Sequence, residues 1–348
     1  MIADILLTAV IPVFLIAVVK YGSRKDSENL FFMSKSYGNF MKGLCAIIVV
    51  LFHIPSVYQN PIQHSIGSFA FVAVTLFFLF SSYGMQLNVE HNSSYLQLFW
   101  KKRLLSLLIP VFIVNLFYLL IQLVIGKNTK IEILFCVDNY VVVLLQYCLL
   151  FYVVNYLHNI KILHYYWQID MILIIGVILS SLYILYRLPS NAPSGENYWY
   201  VERYGLIWGL LLYRYSSSIT QWLVNMRSKK ILFAIIVSVL MLTAFHSLKH
   251  YSIAYRYFFE ILSAFLLIVL LFLLTQRWQS CNYISTLLGS ISYEIYLSHR
   301  YMMNLILDIY PSIGSGSFII SVFVFTFIFS YFTHFLCVRL FRKLRLHQ

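Results

Sequence analysis

The sequence is poor in charge, and above all in acidic residues. Only 11% of its 348 residues are charged, and 25 Lys plus Arg stand against 12 Asp plus Glu, so the net charge of +13 comes from scarce acids. Because soluble domains carry about 25% charged residues, the composition excludes a soluble enzyme domain and a disordered chain. A solvated basic face is also missing, and we expect no nucleic-acid partner.

Cysteine and linker residues are scarce as well. The five cysteines form no C-x-x-C pair and no Cys/His ligand spacing, which excludes a disulfide-stapled module and leads us to expect no metal. The 13 Gly and 7 Pro do not gather into a linker, and no internal repeat or loop of domain size is present. All chemistry must therefore be built between helices.

Apolar residues make up 61% of the chain, with 28 Tyr and 29 Phe among them. A helix needs about 20 apolar residues to cross a bilayer, with a range of about 17–25, and about eleven runs come near that length. We therefore predict an all-α, polytopic integral membrane protein with about eleven transmembrane helices. The predicted spans are 2–19, 41–58, 66–88, 104–125, 131–155, 169–187, 203–218, 231–247, 254–275, 284–308 and 317–338. Span 2–19 lacks a basic n-region and is expected to be retained rather than cleaved.

The basic residues predict the orientation in the membrane. Of the Lys and Arg residues, about seventeen fall in one set of alternate connections and six in the other, while Arg214 and Arg300 lie inside spans. Because cytoplasmic loops carry the excess, we expect a multi-pass plasma-membrane protein with its N-terminus outside and its C-terminus in the cytoplasm.

Lys42 and His53 are the first ionisable pair inside a predicted span. Eleven residue steps place them within about 20° of one helical face and about 16 Å apart along the axis. Lys42 would lie at the cytoplasmic mouth and His53 beyond the bilayer midplane. Ionisable groups at such depths usually have a function, although a snorkelling Lys and a helix-end His are an equally simple interpretation.

A second polar group lies near the end of the chain, in the segment 289–300. Glu294, His299 and Arg300 reach heights comparable to that of His53, so the two groups are expected to meet. Tyr296 and His299 share a face with Ser292, whereas Glu294 points elsewhere. Together with Glu260, these residues predict a polar vestibule that opens outward.

Individual residues of this vestibule also have purely structural interpretations. Structural ion pairs, such as Glu202 with Arg256, account for buried charges without any catalytic role. The segment 189–200 has turn formers followed by aromatic residues, which are typical of a membrane interface and also suit contact with a sugar.

The basic cluster Lys101, Lys102 and Arg103 begins another span on the cytoplasmic side. Such a cluster beside a helix N-terminus suits the phosphates of a cytosolic cofactor. It also suits a topology signal bound to anionic lipid. Just before it, Ser81, Ser82 and Gly84 interrupt an aromatic run, where small residues let helices or a ligand approach closely.

Four blocks in the order in which they occur resemble the acyltransferase-3 family of multi-spanning membrane O-acyltransferases. Lys42 to His53 resembles its basic-x10-His signature, and 77–84 resembles its Phe-Phe-x-x-Ser-Gly block. Segment 102–110 resembles its basic stretch ending in Pro, and 289–299 resembles its Ser-Tyr-x-x-Tyr-Leu-x-His block. The chain departs from the family at Lys42, where Arg is usual, and near Ser106, where a second Arg is frequent.

The resemblance implies a ten-helix core at 38–338, preceded by an extra helix and basic linker at 1–37 and followed by a basic tail at 339–348. It implies transfer of an acyl group, most often acetyl, from cytosolic acyl-CoA to a hydroxyl of an envelope or capsular polysaccharide or its precursor. His53 would be the general base. Lys42 would orient donor phosphate or stabilise an oxyanion. The remaining assignments are donor binding by Lys42, Lys101, Lys102 and Arg103, and acceptor binding or imidazole orientation by Glu260, Glu294, Tyr296, His299 and Arg300.

Three further functions stay open from the residues alone. A transporter or flippase also suits many spans with charges at midplane depth, although no inverted repeat is evident. A glycan polymerase or ligase commonly has a large external loop, which this chain lacks. A scaffold subunit of an envelope assembly complex would have no catalytic role.

Overall fold

The computed structural model describes residues 21, 23–25, 31–59, 69–127, 130–187, 199–226, 228–248, 252–276, 278–279 and 282–344. The predicted span 2–19, most of the segment 189–200 and the end of the basic tail lie outside these residues. The predicted domain boundaries at residues 37 and 338 fall within the helical segments Lys35–His53 and Ser315–Lys343, and they remain predictions.

The described residues form twelve α-helices and two very short strands. The helices are α1 Lys35–His53, α2 Ala70–His91, α3 Phe99–Val124, α4 Asn139–Asn159, α5 Tyr166–Arg187, α6 Tyr204–Arg214, α7 Ser216–Val224, α8 Ser228–Leu248, α9 Ile253–Thr275, α10 Tyr283–Ser290, α11 Ser292–Ile309 and α12 Ser315–Lys343. Short 3₁₀ helices at Ser56–Tyr58 and Ile131–Phe135 follow α1 and precede α4. Strands β1 Arg24–Lys25 and β2 Trp278–Gln279 pair antiparallel.

Seven helical segments are long and apolar enough to cross a membrane: Lys35–His53, Ala70–His91, Phe99–Val124, Ile131–Asn159, Tyr166–Arg187, Ala254–Thr275 and Ser315–Lys343. The all-α, polytopic membrane class is thereby confirmed. Two of the other predicted spans, 203–218 and 284–308, are each divided between two consecutive helices, with breaks at Tyr215 and Ile291.

Serine side chains flank the break between α10 and α11. The hydroxyl of Ser290 donates to the carbonyl of Leu287 at 2.7 Å, and that of Ser292 donates to the carbonyl of Gly289 at 2.9 Å. Such local bonds compete with the helical ladder and bend helices. One predicted span therefore becomes two segments joined at Ile291.

Glycine and serine bring α2 and α6 into close contact. A Cβ on Gly205 would collide with the carbonyl oxygen of Thr75, and one on Gly209 with that of Leu79. Ser82, from the small-residue block noted in the sequence, bonds the hydroxyl of Tyr147 on α4 at 2.9 Å. The block therefore packs α2 against two neighbouring helices, as small residues allow in membrane bundles.

An ion-pair network accounts for Arg214, one of the two arginines inside predicted spans. Its guanidinium bonds Asp170 of α5 at 3.0 Å and pairs with Glu90 of α2, and it lies over the ring of Tyr166. Because intramembrane charges are expensive unless paired, this network makes Arg214 a structural residue that joins α2, α5 and α6.

Candidate active site

Two glycines bring α1 against α10. A Cβ on Gly43 would lie 2.9 Å from Cβ of Leu288, and one on Gly289 would collide with the backbone carbonyl of Asn39. Only glycine permits this separation. Since a single residue separates α10 from α11, the crossing also places α11 beside the C-terminal half of α1, with both helices running in the same direction.

The crossing brings His53 of α1 to His299 of α11. Nδ1 of His53 lies 3.0 Å from Nε2 of His299 and 2.9 Å from the carbonyl oxygen of Val49. Nδ1 of His299 lies 3.1 Å from the carbonyl oxygen of Ile295. The two polar groups that the sequence placed at one height therefore form a direct contact.

The hydrogen bonds of this pair assign one arrangement of its protons. A carbonyl only accepts, so Nδ1 of His299 carries a proton that it donates to Ile295, and its Nε2 is an acceptor in the neutral ring. Nδ1–H of His53 then donates to that Nε2 and to the Val49 carbonyl. Nε2 of His53 keeps its lone pair, and none of the described residues bonds it.

A cavity of about 230 Å³ adjoins the histidine pair. Its wall combines the imidazoles with amide, carboxylate, phenol, indole and guanidinium groups from several elements. The lining residues are His53, Val111, Asn115, Cys136, Val137, Asp138, Asn139, Trp199, Tyr296, Leu297, His299, Arg300 and Tyr301. Predicted site residues His53, Tyr296, His299 and Arg300 therefore meet around one space.

Asp138 anchors one side of this cavity. It is the N-cap of α4, where Oδ1 accepts the backbone N–H of Tyr140 at 2.8 Å, and the same oxygen accepts the hydroxyl of Tyr296 at 2.7 Å. The rings of Tyr140 and Tyr296 also contact each other, with centroids 4.9 Å apart. A helix cap thus fixes the phenol one turn before His299.

Asn115 of α3 anchors the other side. Its Nδ2 donates to the carbonyl of Cys136 at 2.9 Å, and its Oδ1 accepts the hydroxyl of Tyr301 at 2.9 Å. Tyr301 stacks on Tyr118, with ring centroids 4.2 Å apart. Both ends of this buried amide are satisfied within the wall, as is usual for buried amides.

Arg300 is the cation of the cavity. It follows His299 directly, is exposed, and is close enough to both imidazoles to interact with them electrostatically. It forms no hydrogen bond or ion pair with any residue in the described ranges. An unpaired guanidinium beside a reaction centre suits an anionic group or a developing negative charge.

A second cavity, of about 360 Å³, lies at the N-terminal end of α3. Lys102 and Arg103 line it together with Ser106, Tyr95 and Asn88. Nη2 of Arg103 donates to the hydroxyl of Tyr95 at 3.3 Å. The basic cluster of the sequence therefore opens into a space, and α3 contributes to this basic pocket at one end and to the histidine cavity further along.

The remaining cationic candidates lie outside these two cavities. Lys42 is half-buried on α1 beside the Gly43 crossing and lines neither space, whereas Lys101 is exposed at the surface beside Lys102. Their predicted contacts with a donor remain predictions.

The two acidic candidates lie away from the histidine cavity. Glu294 is buried and bonds Nδ1 of His334 on α12 at 2.9 Å, consistent with its position on a different helical face from His299. Glu260 lies on α9 and interacts electrostatically with Tyr200 and Glu202. Neither is among the lining residues, and their assignment to an acceptor remains a prediction.

Sequence reasoning overlooked Asp138 and Asn115. Asn115 is a lone polar residue in an apolar run, and Asp138 stands with Asn139 inside another apolar run, the signal that singled out His53. Asp138 was hidden because the predicted span 131–155 ran through it, whereas the structure begins α4 at Asn139. Its cap position was therefore not recognised.

A comparison with known protein families shows which family the chain belongs to. The family model Acyl_transf_3, described as an acyltransferase domain, matches residues 36–335. The chain belongs to the acyltransferase-3 family. This match confirms the resemblance seen in the sequence blocks. No curated protein and no solved structure matches the chain in the corresponding comparisons.

Membership and fold together establish the general activity. This acyltransferase-3 protein is a multi-pass membrane acyltransferase. His53, Tyr296 and His299, which belong to the blocks that carry the resemblance, all line the histidine cavity of this acyltransferase-3 bundle.

Proposed function

We propose that the protein transfers an acyl group, acetyl in the simplest case, from acyl-CoA to a hydroxyl of an envelope or capsular polysaccharide or of its precursor. The observation that carries the proposal is the His53–His299 pair, which leaves Nε2 of His53 as a base beside a polar cavity. A hydroxyl acceptor needs such a base, because an alcohol that keeps its proton is a weak nucleophile.

In the proposed reaction, Nε2 of His53 takes the proton of the acceptor hydroxyl as its oxygen attacks the thioester carbonyl carbon. A tetrahedral intermediate forms and collapses, the carbon–sulfur bond breaks, and the CoA sulfur leaves with the proton returned from Nε2. The imidazolium that exists between these steps is stabilised by its Nδ1–H bond to His299. General base catalysis of this kind contributes about 10²–10⁴-fold in rate.

The donor is proposed to enter from the cytoplasmic side. Lys102 and Arg103 in the basic pocket would bind CoA phosphates, with Lys101 and Lys42 adding positive charge near the cytoplasmic mouth. Twelve residue steps along α3 lead from Arg103 to Asn115, about 18 Å along the helix. An extended phosphopantetheine arm has a comparable length, so phosphates in one cavity are compatible with a thioester in the other.

The acceptor is proposed to enter from outside, the side towards which the histidine cavity would open in the orientation predicted from the basic residues. Arg300, Tyr296 and Asp138 offer the mixture of donors and acceptors that a polyhydroxylated ring uses. The inferred location is the plasma membrane, with the N-terminus outside and the C-terminus inside.

Analysis of O-acetyl groups on surface glycans by mass spectrometry and NMR tests this function. Cells that carry the wild type, a deletion, His53→Ala or His91→Ala would be compared at matched expression. His91 is an exposed histidine at the end of α2, whose Nδ1 bonds the Leu87 carbonyl and no other residue that the structure describes, so it controls for histidine loss. We expect one acetyl substituent to disappear in the deletion and in His53→Ala and to persist in His91→Ala. Retention of that substituent in His53→Ala would show that His53 is not the general base.

A further inference from the structure

Trp199 is a buried member of the cavity wall with an unusual backbone. Its side chain is only 7% exposed and lines the same space as His53 and His299. Its φ is +49°, a region that bulky residues rarely adopt. Such conformations persist only where the surrounding structure holds them, and they concentrate at functional sites.

The adjacent turn holds Trp199 in this conformation. Nε of Arg203 donates to the Trp199 carbonyl at 2.8 Å, and both residues are buried. Backbone bonds from Tyr204 to Val201 and from Gly205 to Glu202 lead directly into α6. The indole is therefore attached to the start of a packed helix rather than to a free loop.

The indole N–H of Trp199 is buried and has no hydrogen-bond partner among the described residues. Buried indole N–H groups usually find one, because leaving a donor unpaired is destabilising. Two other polar groups of the wall are already engaged: Asp138 with Tyr296 and Tyr140, and Asn115 with Cys136 and Tyr301. The indole N–H is instead an unused, buried donor in the wall that also holds the histidine pair, and it is available to a ligand.

We propose that Trp199 is a specificity-determining residue for the acceptor, whose indole N–H donates to an oxygen of the sugar ring that carries the reacting hydroxyl. This assignment rests on the proposed function. An indole combines an apolar face with one polar edge, and a pyranose likewise combines a C–H face with hydroxyls around its rim. The acceptor class is therefore a pyranose whose ring lies against Trp199 with its target hydroxyl towards His53.

The variant Trp199→Phe removes the indole N–H donor and keeps an aromatic ring at this position, so it tests the hydrogen bond apart from the apolar contact. Wild type and Trp199→Phe would be purified in lipid nanodiscs and assayed with acetyl-CoA and the surface glycan isolated from deletion cells. We expect the KM for the glycan to rise about tenfold, equivalent to about 1.4 kcal/mol, with kcat changed less than twofold. Trp222→Phe is the matched control, because Trp222 is 52% exposed on α7 and does not line the cavity.

Several outcomes would overturn the assignment. An unchanged KM for the glycan would show that the indole makes no hydrogen bond to the acceptor. A loss confined to kcat would show that the indole acts on the transition state instead. If Trp199→Phe does not fold, Trp199→Gln and Trp199→Leu decide, because only Gln retains a donor. A lower KM for Gln than for Leu supports the assignment, and equal values contradict it.

The same assay separates this inference from the proposed function. If the wild type transfers no acetyl to the glycan, acetyl transfer to that acceptor fails as a proposal. If the wild type is active and the Trp199 variants keep its KM for the glycan, only the role of Trp199 is lost.

Discussion

At the scale of residues, the proposed mechanism gives His299 a role that a carboxylate often fills. In a Ser-His-Asp triad a buried aspartate orients the histidine and stabilises its charged form. Here a neutral imidazole accepts the Nδ1–H of His53, and the Ile295 carbonyl fixes its tautomer. A neutral partner orients the base without adding a second charge to the membrane interior, where charge is expensive.

Replacement of His299 tests this orientation. In His299→Phe the Nδ1–H of His53 loses its side-chain acceptor, and a hydrogen bond to a charged group contributes about 1.5–3 kcal/mol. We expect kcat for acetyl transfer to fall roughly 10–100-fold, with both KM values within about twofold of the wild type. Purified protein assayed with acetyl-CoA and glycan checks this.

His299→Gln provides the matched control, because its side-chain oxygen is an alternative acceptor. Its kcat should lie between those of the wild type and His299→Phe. A wild-type kcat in His299→Phe would show that the Val49 carbonyl alone orients His53.

At the scale of elements, the site depends on the crossing of α1 and α10. Gly43 and Gly289 let the helix backbones approach, and α11 continues from α10 after the break at Ile291. The height at which His299 meets His53 is therefore set more than two turns away, at a contact that contains no catalytic group.

Gly289→Ala should disturb this crossing, because a Cβ there collides with the backbone carbonyl of Asn39. Overpacking of this kind costs about 1–3 kcal/mol, so we expect a lower thermal unfolding midpoint and reduced acetyl transfer. Gly84→Ala is the control, since a Cβ at Gly84 would meet no atom of the described residues within 4 Å and alanine favours a helix. Thermal unfolding followed by size-exclusion chromatography measures both variants, and equal midpoints would contradict the role of the crossing.

The sequence was sufficient to predict most helices, because long apolar runs have few alternatives in a membrane. It also predicted that His53 and the segment around His299 would meet, since rise per residue fixes the height of each group. The breaks at Tyr215 and Ile291 were not predicted. At Ile291 the reason is physical: the break depends on bonds from Ser290 and Ser292 to backbone carbonyls, and serine also occurs inside continuous helices, so its presence in the sequence does not specify a break.

At the scale of the whole molecule, the two cavities lie at different heights along α3. Lys102 and Arg103 line the one near its N-terminal end, and Asn115 lines the other, about 18 Å further along. The excess of basic residues predicts that the first faces the cytoplasm. The histidine cavity should accordingly be open to reagents from outside the cell.

Cys136 is a natural cysteine whose labelling would show from which side of the membrane the histidine cavity is accessible. It lines the histidine cavity and is an exposed free cysteine, whereas Cys45, Cys148 and Cys337 are buried. We expect a membrane-impermeant maleimide added to intact cells to label Cys136 and block acetylation of surface glycans.

Cys136→Ser is the control and should be both unlabelled and resistant to the reagent. Labelling of Cys136 only after the cells are permeabilised would reverse the predicted topology.

The contact between His53 and His299 joins positions 246 residues apart, and this separation has a consequence for biosynthesis. His53 is synthesised early, but its partner His299 lies on α11, which is among the last helices to be synthesised and inserted. On the proposed mechanism, we therefore expect every shorter translation product to be inactive towards cellular thioesters, with activity gained only once the last helices are in the bilayer.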